Sequence, residues 1–286
     1  MAWVLVLTAA PGRGLSEADI EAARRGAEVE SEAAVSLGPQ AVEIACAARP
    51  ACAEIAGVDV NAVPTEGREK RLLVADMDST MIGVECIDEI ADMAGLKPQV
   101  AAITERAMAG ALDFEAALSE RVALLAGLEE AALAAVYEER IALNPGARTL
   151  VRTMAARGAH TALVSGGFTY FTERVGAAAG FAEHRANRLE IADGYLTGRV
   201  ALPILGREAK REALAELAAA RGHSPAEALA IGDGANDLAM IEAAGLGIAY
   251  RAKPALADKA DARLAYADLT AALSLQGIHA DAFVRD

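Results

Sequence analysis

Positive charge is scarce in this sequence. Its 286 residues carry 27 Lys and Arg against 41 Asp and Glu, a formal net charge of −14. That balance excludes nucleic acid and an anionic membrane as general partners, because both are bound through basic surface. An anionic ligand would have to be held by local positive groups. Long apolar runs are also missing: no stretch approaches the roughly 20 residues that span a bilayer. The opening "MAWVLVLTAAPGRG" has no basic leading region and reads as a first strand, not as a signal peptide. Cysteine is rare. Cys46, Cys52 and Cys86 are odd in number, form no metal-like cluster with the histidines and argue against a disulfide framework. A cytoplasmic setting is expected. No internal repeat and no low-complexity tract interrupts the chain.

What is present is apolar content sufficient for a sizeable core, in one large domain or two. The turn-prone, charged stretch "PTEGREKR", residues 64 to 71, reads as a linker. Before it, residues 1–70 alternate strands and helices: "AWVLVL", a Ser16-capped helix "SEADIEAARRGAE", strands around "AAVSL" and "AVEIAC", a short helix near "PACAEIAG", and "VDVNAV". This order resembles the βαββαβ pattern of ACT-like domains. Its strands could pair with a second copy at a sheet edge, so the protein could be a homodimer. Residues 71–286 read as a doubly wound α/β domain. The strand "RLLVAD" is followed by a helical stretch at about 84–146, broken near Gly95, Gly110, Gly127 and Gly146, which predicts a small helical bundle inserted as a cap. Beyond it, "HTALVSGG", "ALAIGDG" and "LGIAY" alternate with helices, and "NRLEIADGYLTGRV" predicts a hairpin turning at Asp193 and Gly194. Apolar strands spaced by helices predict a parallel sheet covered on both faces.

In such a sheet, ligands bind beyond the carboxyl ends of the strands. Three strands end in polar groups. "LLVADMDST" ends in Asp76 and Asp78, two positions apart and therefore on one face of an extended segment. Two carboxylates that close are tolerable when a cation lies between them or one holds a proton. Ordinary helix capping by Asp78, Ser79 or Thr80 is the bland alternative. "TALVSGG" ends in Ser165, Gly166 and Gly167, a hydroxyl and backbone N–H groups suited to an anion, or simply a turn. "ALAIGDGANDLAM" ends in Asp233, Asn236 and Asp237, oxygen ligands suited to a hard cation such as Mg²⁺, or a turn with a cap. Lys210 lies near the start of the preceding helix, where its ammonium could reach the same mouth; alone it would read as a solvated lysine.

Taken together, "DMDST", "SGG", the helix lysine and "GDGAND" resemble the four motifs of the haloacid dehalogenase superfamily. Within it the chain is similar to the phosphoserine phosphatases. "ECIDE", "AITERAMAG", "FEAALSERVALL", "VSGGF", "ANRLEI", "DGYLTG" and "GDGANDLAMI" carry that closer match. The resemblance implies hydrolysis of O-phosphoserine, with Asp76 as nucleophile and Asp78 as general acid and base. It implies Mg²⁺ held by Asp76, Asp233 and the main-chain carbonyl of Asp78, with Asp237 acting through water. Ser165, Gly166 and Lys210 would bind the phosphoryl group and Asn236 would orient it. Glu85 would meet the substrate ammonium and Arg121 its carboxylate, with Met108 and Phe114 closing the apolar side. A related capped phosphatase or phosphotransferase acting on another small phosphomonoester is the alternative.

Overall fold

The computed structural model describes residues 2–29, 33–108 and 111–285. The chain opens with strand β1 (Trp3–Ala9), helix α1 (Glu17–Ala27), and strands β2 (Ala34–Gly38), β3 (Ala41–Cys46) and β4 (Val58–Pro64). The Ser16 cap forms as the sequence suggests. Its hydroxyl accepts from the Asp19 N–H at 3.2 Å while the Asp19 carboxylate takes the Ser16 N–H at 2.9 Å, a reciprocal pair that satisfies two helix-end donors.

These strands form an antiparallel sheet in the order β2-β3-β1-β4, the order a βαββαβ chain produces. The second helix of that pattern is absent, and "PACAEIAG" is irregular coil. The connection must return along the full sheet. Only eleven residues, 47 to 57, join β3 to β4. Eight of them as helix would cover about 12 Å of the roughly 23 Å that seven strand residues span, whereas the extended path taken covers it with slack. It crosses α1 at Gly26, where an added Cβ would come within 2.7 Å of the Ala53 methyl.

Strand β1 alternates between two cores. Leu5 and Leu7 pack with Ala23 and Ile44 under α1, and Val4 and Val6 belong to a cluster that runs into the rest of the chain. The sheet is also fastened at its β4 edge. Asp59 accepts from the N–H groups of Ala265, Tyr266 and Ala267 at 2.8 to 3.2 Å, and Asn61 exchanges two hydrogen bonds with the Arg263 backbone at 2.8 and 2.9 Å. The segment read as a linker is anchored: Arg68 pairs with Glu43, Glu69 with Arg157 at 2.8 and 3.0 Å, and the Lys70 N–H with Gln276 at 2.9 Å.

Next come β5 (Leu72–Ala75), the helices α2 (Cys86–Met93), α3 (Lys97–Met108), α4 (Phe114–Ala123), α5 (Ala131–Arg140) and α6 (Ala147–Ala156), then β6 (His160–Phe168), α7 (Thr169–Ala179) and β7 (Glu183–Asn187). The hairpin β8 (Leu189–Ala192) and β9 (Tyr195–Val200) follows, then α8 (Arg207–Ala219), β10 (Ala228–Gly232), α9 (Leu238–Ala243), β11 (Leu246–Tyr250), α10 (Pro254–Ala257), β12 (Ala262–Leu264) and α11 (Ala271–Leu275). Six of these strands make one parallel sheet, β12-β11-β10-β5-β6-β7. The four residues of β5 are all buried, as expected for a strand covered on both faces.

Helices α2 to α5 form the expected inserted cap. The two chains that join it to the sheet pair with each other: Ile82 bridges Leu143, and the Asn144 N–H donates to the Met81 carbonyl at 2.8 Å. The hairpin turns at Asp193 (φ 51°) and Gly194 (φ 81°) as predicted, with the two positive φ values that match strand twist. Its attachment to the cap was not foreseen. Gly127 and Leu196 bond through the Leu196 carbonyl, and Leu196 in turn donates to Leu128, both at 2.8 Å. Among the described residues, no helix is long and apolar enough to cross a membrane.

Candidate active site

Register brings the three polar strand ends together. Strand β5 lies between β6 and β10, with Ala75 level with both Leu163 and Ile231, so Asp76, Ser165 and Asp233 all emerge at one edge. The Asp76 N–H continues the ladder for one more residue, donating to the Ile231 carbonyl at 3.0 Å. The chain then leaves the sheet through a tight turn, with Ser79 at φ 56° and ψ 0°. Asp78 partly fulfils the capping alternative as well: its Oδ1 accepts the Cys86 N–H, the first of α2, at 3.3 Å.

Lys210 reaches the same edge from the first turn of α8. Its ammonium is 1% exposed and sits 2.7 Å from Asp76 Oδ1 and 2.6 Å from Asp237 Oδ1. Burial alone would lower its pKa, but Asp237 and Asp76 outweigh that and hold it above its ordinary value. Asp237 also accepts the N–H groups of Asp233 and Gly234 at 3.2 and 3.1 Å. Carboxylate oxygens of Asp76, Asp233 and Asp237 lie within 4.8 Å of one another.

Crowding of this kind raises carboxyl pKa values. Burial, then Asp237, pushes Asp76 well up. Burial, then Asp237 and Glu85, brings Asp233 to about 6. Burial, then Glu85, brings Asp78 to about 7. Buried oxygen donors that resist ionisation without a compensating charge fit a hard divalent cation, and one lone ammonium does not neutralise three carboxylates. The consequence for stability has a definite sign. An unfolded Asp ionises near 3.9, so the cation-free folded state holds protons that the unfolded chain releases, and stability falls as pH rises from about 4 to 6. A cation bound here cancels that loss. The rise in thermal midpoint on adding Mg²⁺ is therefore expected to be several degrees larger at pH 7 than at pH 5. Equal rises at both values would locate the cation elsewhere.

The Ser-Gly-Gly segment is not a turn, because β6 continues through Phe168 and neither glycine takes a positive φ. Both glycines permit close approach. A Cβ on Gly167 would lie 2.7 Å from Asp78 Oδ2, and one on Gly166 would lie 2.9 Å from the Phe114 ring. Phe114, the first residue of α4, thus closes the cap onto this edge. The Ser165 hydroxyl is buried and accepts the Gly167 N–H at 2.9 Å. Asn236 rests its side-chain oxygen against Gly234.

From the cap, Glu85 is exposed and accepts the Ser79 hydroxyl at 2.7 Å. Arg121 on α4 is half-buried, with its Nε donating to the Ala117 carbonyl at 3.2 Å. Burial lowers its pKa against the pull of Asp88, Glu85 and Asp78, so it shares their neighbourhood. Met108 ends α3, and its side chain lies outside the described residues. The structure therefore brings the other expected residues to one neighbourhood, where the carboxyl edge of the sheet meets the cap. It adds three that were not anticipated. Thr80 donates to Asp233 at 3.4 Å, Asn144 donates to the Thr80 carbonyl at 2.7 Å, and Asn187 bonds to both Gly166 and Leu205.

The sequence pattern of haloacid dehalogenase-like hydrolases matches residues 73–242. The chain belongs to that family. Within it, a phosphoserine phosphatase of Archaeoglobus fulgidus is 45% identical over 231 residues, covering 80% of this chain and 67% of that protein. A solved haloacid dehalogenase-family hydrolase of Salmonella enterica serovar Typhi matches 98% of this chain and all of its own length at TM-score 0.83 and 29% identity. A solved phosphoserine phosphatase, captured as an analogue of its phospho-aspartyl intermediate, covers 72% of this chain and 98% of its own at TM-score 0.67 and 40% identity.

Proposed function

We propose that this protein is a Mg²⁺-dependent phosphoserine phosphatase, converting O-phosphoserine and water to serine and phosphate, the last step of serine biosynthesis in the cytoplasm. One observation carries the reading: Asp76, Asp78, Lys210 and the Asp233–Asp237 pair converge beneath a cap that brings Glu85 and Arg121 to the same opening.

Met77 N–H and Lys210 both address Asp76 Oδ1 at 2.8 and 2.7 Å, which leaves Oδ2 to attack phosphorus. As that O–P bond forms, the bond to the serine oxygen breaks and Asp78 supplies the proton. Its pKa of about 7 suits a group that must hold a proton at neutral pH and then surrender it. Asp78 next accepts a proton from water, whose oxygen displaces Asp76 and releases phosphate, so the difficult hydrolysis is divided into two displacements. Ser165, the Gly166 N–H and Lys210 hold the phosphoryl oxygens, and Asn236 orients them, in a transfer governed by positioning and charge. Mg²⁺ held by Asp76, Asp233 and the main-chain carbonyl of Asp78, with Asp237 acting through water, would supply charge neutralisation at the phosphoryl group.

Glu85 and Arg121 answer the ammonium and carboxylate of the substrate, with Phe114 and Met108 on the apolar side. A charge-assisted contact is worth about 1.5 to 3 kcal/mol. Arg121→Ala is therefore expected to lower kcat/KM for phosphoserine by about one to two orders of magnitude. p-Nitrophenyl phosphate, which lacks that carboxylate, should lose much less. Equal losses on both substrates would remove Arg121 from recognition.

The division into residues 1–70 and 71–286, with a cap at about 84–146, is supported by the phosphoserine phosphatase fold that 72% of the chain accounts for. The first domain is read as an assembly or regulatory element, with a homodimer as the form to look for by sizing. Phosphate release from phosphoserine, phosphothreonine and sugar phosphates, with and without Mg²⁺, tests the activity. Preference for another phosphomonoester, or no dependence on the cation, would overturn it.

A further inference from the structure

Resting on the phosphatase reading above, we propose that Asn187 is a positioning residue for the phosphoryl-binding edge: its carboxamide fixes the Gly166–Gly167 peptide so that the Ser165 hydroxyl proton is free for substrate, and ties that edge to the segment leading to Lys210.

Asn187 ends β7 and is 2% exposed. Its Nδ2 donates to the Gly166 carbonyl at 2.8 Å and to the Leu205 carbonyl at 3.2 Å, while Oδ1 accepts the Leu205 N–H at 2.6 Å. Both amide hydrogens and the oxygen are thus engaged. A buried polar group is costly to retain unless it is satisfied, and an apolar side chain here would strand three backbone groups.

The effect on Ser165 follows from peptide geometry. In a planar trans peptide the carbonyl of residue 166 and the N–H of residue 167 point in opposite directions. With the carbonyl drawn towards Asn187, the Gly167 N–H faces the other side and donates to Ser165 Oγ at 2.9 Å. An oxygen that accepts that bond keeps its own proton for a phosphoryl oxygen. A reversed peptide would set a carbonyl beside Ser165, and the hydroxyl would donate to it instead. Leu205, held by the same carboxamide, is followed by Gly206, whose carbonyl accepts the Lys210 N–H at 3.2 Å. One side chain thereby registers the serine and the lysine against each other.

The test is a double-mutant cycle in the full chain. Asn187→Asp keeps the size and the bond from Leu205 N–H but turns an oxygen towards two carbonyls. It is expected to lower kcat/KM about 10- to 100-fold, equally for phosphoserine and p-nitrophenyl phosphate, and to weaken inorganic phosphate binding by calorimetry. In a Ser165→Ala background the further loss should be clearly smaller than this, because one of the two groups through which Asn187 acts is already gone. Fully additive losses, with the unmutated protein active, would overturn the positioning role alone. An unmutated protein that does not hydrolyse phosphoserine would overturn the phosphatase reading instead. Asn187→Ser carries the same comparison should Asn187→Asp not fold, and failure of both to fold would make Asn187 purely structural and end the proposal.

Discussion

Asp76→Asn is expected to abolish turnover, with phosphate release falling on the order of 10⁴-fold or more, the scale of nucleophile loss in enzymes that work through a covalent intermediate. An amide has no anionic oxygen to attack phosphorus. The substitution leaves the fold's demands intact, because Asn can still accept the Met77 N–H that Asp76 accepts at 2.8 Å. It also removes one charge from a buried group whose ionised form is disfavoured by burial and by Asp237. The cation-free thermal midpoint should therefore stay level or rise while activity disappears. Release within tenfold of the unmutated protein would rule out the covalent route. A large fall in thermal midpoint would mean that Asp76 is needed chiefly as the partner of Lys210.

Lys210→Met should damage stability and activity together. The ammonium is the sole cation bonded to both Asp76 and Asp237 among the described residues. Breaking a buried ion pair from one side costs about 3 to 5 kcal/mol, because it leaves charge without compensation. In a protein of this size that corresponds to a fall in thermal midpoint of roughly 10 °C. The loss of a charged donor to the phosphoryl group should cost about 10³-fold in kcat/KM. Mg²⁺ should restore part of the midpoint, since it can neutralise the same carboxylates, yet restore little activity. A variant with both properties near those of the unmutated protein would show that the lysine is dispensable and that the phosphoryl group is held otherwise.

The sheet that builds this site was legible where strands are uniformly apolar: "LLVA" and "ALAIG" are buried at every residue, and such runs between helices announce a parallel sheet. Strand β7, "EHRAN", was not. It lies at the sheet's edge, where Glu183 and Arg185 are served by partners such as Arg221 and Glu216, so its sequence carries no apolar signature. The three-residue β12 is too short to give one. The helix expected at "PACAEIAG" is displaced by a distance requirement that only the assembled sheet imposes. The catalytic carboxylates, Ser165 and Lys210 could be read because their chemistry is unusual at strand and helix ends. Thr80 and Asn187 lie inside the quoted "DMDST" and "ANRLEI", but their roles could not be read, since each acts on a group far away in sequence: Asp233 is 153 residues from Thr80, and Gly166 is 21 residues from Asn187. Nothing local marks a side chain as aimed at a particular distant peptide.

The Asp59 fork grips backbone 206 to 208 residues further along the chain. During synthesis, residues 1–70 therefore leave the ribosome long before the segment that fastens the β4 edge of their sheet exists. The face of β1 that carries Val4 and Val6 must wait uncovered, and contacts so distant in sequence form late and slowly. The segment around residues 263 to 267, and not the first domain itself, times the moment at which that sheet is fastened.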